Sequence, residues 1–590
     1  MSDRTTHFPS ATEYDVLVIG CGAAGLSTAI SARLAGLTVL VAEKADVVGG
    51  AAARSGGQVW APGSQLARAA GIVDPPEAAL QYLQSEAGSL FDPERASAYL
   101  RAAPRMVDEY SSRTTEMRFI MNPLAGDAHP QLPGAAGSGR VLMVPEFDAR
   151  KLGQRMTQLA LPLKEWTFLG MQIGPGKELN HFFNWYRSLE SAKVVASRFA
   201  RLARDLLTHG RTTRLVNGQA LVARLFKSAL DLGVEIQTEA TALRLMTDAG
   251  KVTGAVFNIA GEQVAVASRR GVVLACGGFP HDRIQREALQ PGPLRHALLP
   301  LAPEGNTGDG LRLALDVGAT LDRRLPNALS WTPVSRIETK SGVRLFPHLI
   351  DKGKPGFIAV DAKGRRFCNE SGPGNDFVRK MAERTEAGPV QGYLVFDHAA
   401  LRRWGAGMVR PTPLPYQHHV RSGYLLRGDS VAELAGKAGL EPDCLAETIE
   451  RFNKFASTGI DEDFQRGESL ADKRNGDPNC KPNPALRALT HGPFYAIRLL
   501  AGDFSTLSGL TVDAQCRVLD TTGQPIAGLY AAGNDAASMM GGSNISPGST
   551  LGPALVFGYI AAQQLIGADV TKEVATPDSL HSNDREPADA

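Results

Sequence analysis

The chain has 590 residues, 43% hydrophobic and 21% charged, with a formal net charge of +2. That length allows several domains with proper cores, and the scattered Lys and Arg lack the clustered basic stripe of a nucleic-acid binder. No apolar run approaches the roughly 18 residues of a spanning helix, so no membrane span is expected.

The first dozen or so residues are a polar lead-in with no apolar targeting core, which makes the cytoplasm the default location. Residues 15–19 are a short, mostly apolar and β-branched run, suited to a strand buried on both faces. They lead into Gly20-Cys21-Gly22-Ala23-Ala24-Gly25, a GxGxxG, then an Ala/Leu-rich helical segment and a second apolar run, 38–42, ending on Glu43. Each glycine has a mechanical use. Gly20 makes the tight turn, Gly22 lets the backbone approach a pyrophosphate, and Gly25 lets helix pack on strand. The phosphates would sit at the helix N-terminus, and Glu43 stands where an acid accepts ribose hydroxyls. A GxGxxG alone is weak; with strand, helix and acid in place it predicts a dinucleotide site.

The dense small-residue stretch 49–60 fits close passage along a large flat ligand. Helical spacing covers 77–110, a Pro/Gly-rich loop 122–139, and an aromatic cluster 169–188. Residues 233–245 are strand material, and 270–279 (RGVVLACGGF) form the return strand of the nucleotide-binding sheet. Gly308-Asp309-Gly310 opens a helix. Residues 291–490 are richer in proline and loops and are expected to form an inserted cap or substrate domain. The nucleotide-binding domain is then discontinuous, 12–290 plus 491–568, with a flexible tail at 569–590. Six cysteines (Cys21, Cys276, Cys368, Cys444, Cys480, Cys516) lie far apart without a CxxC, so neither metal nor disulfide framework is expected.

Ordered segments across most of the chain resemble the fumarate reductase and succinate dehydrogenase flavoprotein superfamily, and within it the 3-ketosteroid Δ1-dehydrogenases. They are 53–62 (ARSGGQVWAP), 146–153 (EFDARKLG), 272–279 (VVLACGGF), 364–371 (GRRFCNES), 493–498 (PFYAIR), 528–534 (GLYAAGN) and 549–561 (STLGPALVFGYIA). The resemblance implies an α/β, Rossmann-like FAD-binding domain and an α+β cap. It implies FAD contacts at Gly20, Gly22, Ala23, Ala24 and Gly25 for the pyrophosphate and Glu43 with Lys44 for the ribose. Gly50, Ala51, Ala52, Ser55, Gly56 and Gly57 would line the flavin. Ala242 would pass the adenine, Asn534 the ribitol, and Thr550 and Leu551 would begin the helix facing the flavin pyrimidine. Gly277 and Asp309 complete the set. No histidine lies in 49–57, so the FAD is expected to be non-covalent.

The reactive positions depart from both groups of relatives. After Asn369-Glu370, fumarate-type reductases carry an arginine, whereas this chain reads Ser371-Gly372-Pro373-Gly374-Asn375-Asp376. Their histidine after the PFYAI strand becomes Phe504-Ser505-Thr506, and their C-terminal arginine becomes Thr550. A small dicarboxylate would lack its cationic partners, so a neutral ketone is expected. The ketosteroid tyrosines are also replaced: Gly374 follows the NE pair, Asn544 stands in the C-terminal turn, and Ala128-His129 meet the third. The turn glycine, Gly548, is retained.

Desaturation beside a ketone needs a donor for the enolate oxygen, a base for the α-proton and a hydride acceptor. Gly548 N–H with the Asn544 amide are the donor candidates and Tyr186 the base, with His181, Tyr416, His418 and His419 in reserve. Tyr495 reads as structural. With one dinucleotide fingerprint, electrons would leave to a quinone, another protein or oxygen. The expected activity is α,β-desaturation of a cyclohexanone-like or 3-ketosteroid-like ketone. An ene-reductase acting on an enone or unsaturated acid, and a flavin-binding protein without turnover, are the alternatives.

Overall fold

The computed structural model describes residues 9–290, 292–340, 342–386 and 388–568; the expected tail, 569–590, lies outside them. Strand β1 (Glu13–Ile19), helix α1 (Ala23–Leu34) and strand β2 (Val39–Ala42) form the expected nucleotide-binding unit. Val16, Leu17 and Val18 are fully buried, as a strand covered on both faces requires. β1 runs parallel to β2, from Val16↔Val39 to Ile19↔Ala42. Helices α2 (Pro93–Arg113) and α3 (Asn217–Asp231) pack beside α1.

Strands β3 (Glu235–Gln237), β4 (Ala240–Asp248), β5 (Lys251–Ile259) and β6 (Glu262–Leu274) complete the path β3-β2-β1-β6-β5-β4. The expected return strand is the second half of β6, parallel to β1 from Val16↔Gly271 to Ile19↔Leu274. Its first half instead runs antiparallel to β5. One strand thus joins a parallel sheet to a meander.

The second sheet is built from β7 (Leu329–Thr339), β8 (Gly342–Pro347), β9 (Phe357–Val360), β10 (Gln391–Asp397) and β11 (Phe494–Thr506). The main path of this seven-stranded sheet is β8-β7-β11-β10-β9, antiparallel along that path, with helix α4 (Gly374–Glu383) against β7; the short strand Leu299–Pro300 pairs parallel to β11 and Leu426–Gly428 antiparallel to it. β11 is its central strand. The sequence reading assigned the chain from 491 onward to the nucleotide-binding part, but the hydrogen bonds of 494–506 go to the second sheet. A strand apolar on both faces reads alike in either sheet, so the pattern could not choose. The chain rejoins the first sheet at Arg517–Leu519 and β12 (Pro525–Ala531), the latter parallel to β6 at Val272↔Leu529.

Helix α5 (Leu551–Ile566) is apolar all round and buried against α1, the expected state of a helix without a polar face. Ser27 Oγ donates to Leu555 O (2.6 Å) and Thr28 Oγ1 to Gly558 O (3.1 Å). A Cβ on Gly558 would come 2.5 Å from Ala24 O, so the two backbones touch there.

In the second lobe, Glu370 is fully buried between two guanidiniums, Arg366 (2.9 Å) and Arg466 (3.0 Å), and Asp461 pairs with Arg366 at 2.9 Å. Glu370 also accepts the Ala359 N–H of β9 at 3.0 Å. Burial pushes its carboxyl up, but the two guanidiniums and this N–H outweigh it and hold the group at about 2. A carboxyl depressed in the folded state contributes fully above its unfolded value of 4.5 and loses that contribution as pH falls through about 2. Glu370→Gln, which leaves cations uncompensated, is expected to cost about 3–5 kcal/mol in urea unfolding at pH 7. It should also flatten the acid loss between those two pH values; an unchanged urea midpoint would contradict this reading.

Candidate active site

The GxGxxG loop divides its work as the sequence implies. Gly20 has φ +109°, and a Cβ there would lie 2.2 Å from Ala275 O. A Cβ on Gly25 would lie 1.9 Å from Gly20 O, whereas one on Gly22 would meet nothing within 4 Å. Two glycines are thus required by the fold and the middle one leaves open room. No side chain caps α1, so the first N–H groups at Ala23 and Ala24 remain available to an anion. Helix α5 is likewise uncapped by any side chain at Thr550.

The two helix starts share one cleft. Gly533 sits between them: a Cβ there would reach Ala24 Cβ at 3.1 Å and Ala554 Cβ at 3.9 Å. A cavity beside them is lined by Thr506, Gly533, Asn534, Ser549, Thr550 and Ala554. Gly50 faces Gly22, with its built Cβ 3.9 Å from Gly22 Cα. Ala51 and Ala52 lie in the same 3-10 turn, Gly50–Arg54. Ser55 Oγ donates to Ala52 O (2.7 Å) and accepts the Gly57 N–H (3.1 Å). Gly56 is open, while Gly57, at φ +68°, is pressed against Asn217. Two uncapped helix N-termini in one cleft, with open backbone at Gly22 and Gly56, suit a dinucleotide flavin. The residues fit FAD.

At the far end, the part-buried Glu43 accepts from Cys21 N–H (2.8 Å) and Ala45 N–H (2.9 Å), binding β2 to the glycine loop. Burial raises its pKa against those hydrogen bonds. Lys44 Nζ donates to Asp309 at 2.5 Å, and Ala242 O accepts from Arg312 of the helix that Asp309 opens. Glu43, Lys44, Ala242 and Asp309 therefore meet at one rim. Gly277 (φ +90°) offers its carbonyl to Asn306 Nδ2 at 2.9 Å.

Sequence reasoning missed Asp535. It is fully buried and accepts the Cys276 and Gly278 N–H groups at 2.5 and 2.9 Å, locking the turn after β6 to the Asn534 turn. Burial raises it to about 6 against those bonds.

On the substrate side, Gly548 has φ +90°, and a Cβ would lie 2.6 Å from Trp60 N, so this turn closes against the end of the 49–60 stretch. Its carbonyl accepts from Trp60 N–H and Gly552 N–H; its own N–H has no acceptor among the described residues. Asn544 Oδ1 accepts from Ser549 Oγ at 3.0 Å, leaving the amide NH2 to donate.

Tyr186 is not brought to this turn. It is 44% exposed, its ring meets Trp185 edge-on beneath Arg187, and no described residue bonds its hydroxyl. His181 bonds Ser191, Tyr416 bonds Tyr495, and His418 and His419 stack on each other. Instead three residues that sequence reasoning assigned no role, Glu86, His129 and Asp376, gather beside the turn. His129 Nδ1 bonds Glu86 Oε1 (2.5 Å) and Nε2 bonds Asp376 Oδ2 (2.8 Å). The hint was present, since His129 and Gly374 fell where relatives carry tyrosines, but partners so distant in the chain leave no spacing signal.

The family described as FAD binding domain matches residues 15–551, and the chain belongs to it. Over 566 residues the chain is 35% identical to the 4-oxocyclohex-2-ene-1-carboxylate 5-dehydrogenase of Sinomonas cyclohexanicum, covering 93% of each. Over 573 residues it is 36% identical to a 3-oxosteroid 1-dehydrogenase of Mycobacterium tuberculosis, covering 94% of this chain and 98% of that one. It resembles the crystal structure of 3-ketosteroid delta1-dehydrogenase from Sterolibacterium denitrificans in complex with 1,4-androstadiene-3,17-dione, with TM-score 0.86 and 32% identity, over 94% of this chain and 100% of that one. The expected kinship, fold class and FAD dependence are borne out.

The glycine geometry separates folding from binding. Gly22→Val should leave the apoprotein's melting temperature unchanged but weaken FAD at least tenfold, about 1.4 kcal/mol, in a fluorescence titration. Gly25→Ala should fail to yield soluble protein. Unaltered FAD affinity in Gly22→Val would contradict the pyrophosphate placement.

Proposed function

We propose that the chain is an FAD-dependent dehydrogenase that removes the α and β hydrogens of a neutral ring ketone, cyclohexanone-like or 3-ketosteroid-like. The observation that carries this is the Gly548 turn: a main-chain N–H without an acceptor, at the uncapped start of α5, beside the free amide of Asn544. Such donors hold a developing enolate oxygen without a counter-ion and need no reorganisation during reaction. Whole-length similarity to enzymes named for dehydrogenation of ring ketones points the same way. Bound FAD, held non-covalently, supplies the two-electron hydride acceptor.

The protein's own share is threefold. Backbone N–H groups of α1 would hold the dinucleotide, the 49–57 stretch would pack along it, and the second lobe would cover the ring. Gly548 and Asn544 fix the carbonyl, which orients the adjacent carbons and makes the α-hydrogen acidic enough to abstract. Electrons then pass to an external acceptor, a quinone, a protein or oxygen. No helix among the described residues is long and apolar enough to cross a membrane. All six cysteines are free thiols, which suits a reducing cytoplasm.

Anaerobic bleaching of the bound flavin tests the reading directly. Cyclohexanone or a 3-ketosteroid should bleach it and succinate should not. Bleaching only by 4-oxocyclohexanecarboxylate would replace the neutral substrate by an anionic one. Reoxidation of dithionite-reduced protein by cyclohexenone, without ketone-driven bleaching, would replace the activity by ene-reduction. Asn544→Ala should slow ketone-driven bleaching about 100-fold at unchanged FAD content; an unaltered rate would remove the amide from the donor set.

A further inference from the structure

We infer that Asp376 is the group that takes the α-proton, held in position by His129 and Glu86; this rests on the ring-ketone reading above. Three separate parts of the chain converge here. Glu86 comes from the helix Pro76–Ala87, His129 from the loop after β-strand Ile120–Met121, and Asp376 from the first turn of α4. All three are bonded, directly or through one neighbour, to the turn that bears Asn544. Ser543 Oγ donates to Glu86 Oε2 at 2.9 Å, and Ala128 N–H donates to Ile545 O at 2.8 Å. Tyr82 hydroxyl bridges the two strands of this contact, donating to Ile545 O and accepting from His129 N–H. Next to Asp376, Asn375 Nδ2 donates to Gly542 O at 3.1 Å.

Exposure ranks the three groups. The side chains of Glu86, His129 and Asp376 are 4%, 17% and 35% exposed, so the carboxylate of Asp376 is the end that faces outward. Both ring nitrogens of His129 are taken by carboxylates, so the imidazole has no free N–H for substrate. It positions; it does not touch the ketone. Burial opposes its charge, but the hydrogen bonds and charges of Asp376 and Glu86 prevail and raise it to about 9. At neutral pH it is an imidazolium between two carboxylates.

In the step itself the α C–H bond breaks, an O–H bond forms on Asp376, and the electron pair moves into the enolate, whose oxygen is held by Gly548 N–H. The step needs no oxidant, and a carboxylate serves as base where donors stabilise the enolate. Arg379, 3.2 Å from the other Asp376 oxygen, and Glu383, paired with Arg379 in turn, are the remaining charged groups at this carboxylate.

Proton removal is read apart from oxidation in dithionite-reduced holoprotein, where desaturation cannot proceed. There, loss of deuterium from α-deuterated cyclohexanone into water is followed by mass spectrometry. Asp376→Asn should slow this at least 100-fold while keeping FAD content and melting temperature. In the unmodified protein, exchange should fall as pH rises through about 9, where His129 turns neutral and can donate to only one of its two carboxylates. His129→Gln should exchange about tenfold more slowly and lack that alkaline limb. Exchange within threefold of the unmodified protein in Asp376→Asn overturns the proposal, as does its abolition by Tyr186→Phe alone. If the unmodified protein neither exchanges nor bleaches with any ketone, the ring-ketone reading falls first and this assignment with it.

Discussion

Everything at this site depends on backbone touching backbone. Gly25 against Gly20 O, and Gly558 against Ala24 O, leave no room for a single methyl group. These contacts draw β1, α1 and α5 together until two helix N-termini open into one cleft. Interiors are packed densely enough that such a contact fixes position to within a fraction of an ångström. The electrostatic consequence follows from the packing. Unpaired N–H groups at each helix start make the cleft favour an anion at one end and developing negative charge at the other. The two ends lie far apart in the chain, which is why the nucleotide-binding sheet is completed only after the second lobe has been inserted.

That second lobe, built around apolar cores, also encloses a buried ion cluster. Arg366, Glu370, Arg466 and Asp461 form a closed set of two cations and two anions inside the protein. Buried pairs of this kind contribute little net stability against an apolar replacement, but they penalise any rearrangement that parts them. Glu370 also reaches β9, so the set ties the loop preceding α4 to the sheet and fixes where Asp376 begins its helix. A structural ion cluster thereby helps set the position of Asp376, the first-turn carboxylate of α4.

The nucleotide half was legible because its signals are local. Strand, glycine turn, helix and Glu43 fall within one short stretch, and each has a single mechanical reading. The return strand at 270–279 was legible for the same reason. The boundary at 491 was not, since β11 is apolar on both faces and fits either sheet. The acid–imidazole–acid set was hidden because Glu86, His129 and Asp376 share no spacing. Tyr186 drew attention through its aromatic neighbours, and its ring meets one of them, Trp185, and the Arg187 guanidinium instead of the Gly548 turn. Asp535 was overlooked because a carboxylate after a glycine turn usually reads as solvated, whereas here burial and two N–H donors make it part of the frame.

The most direct measurement of the central claim is a crystal structure of the FAD-loaded protein with a cyclohexenone product bound. The pyrophosphate should lie on the N–H groups of Ala23 and Ala24, and the product oxygen within hydrogen-bond distance of Gly548 N–H with Asp376 facing the ring. A product oxygen bound by cationic side chains, or a ring lying away from the Gly548 turn, would contradict it.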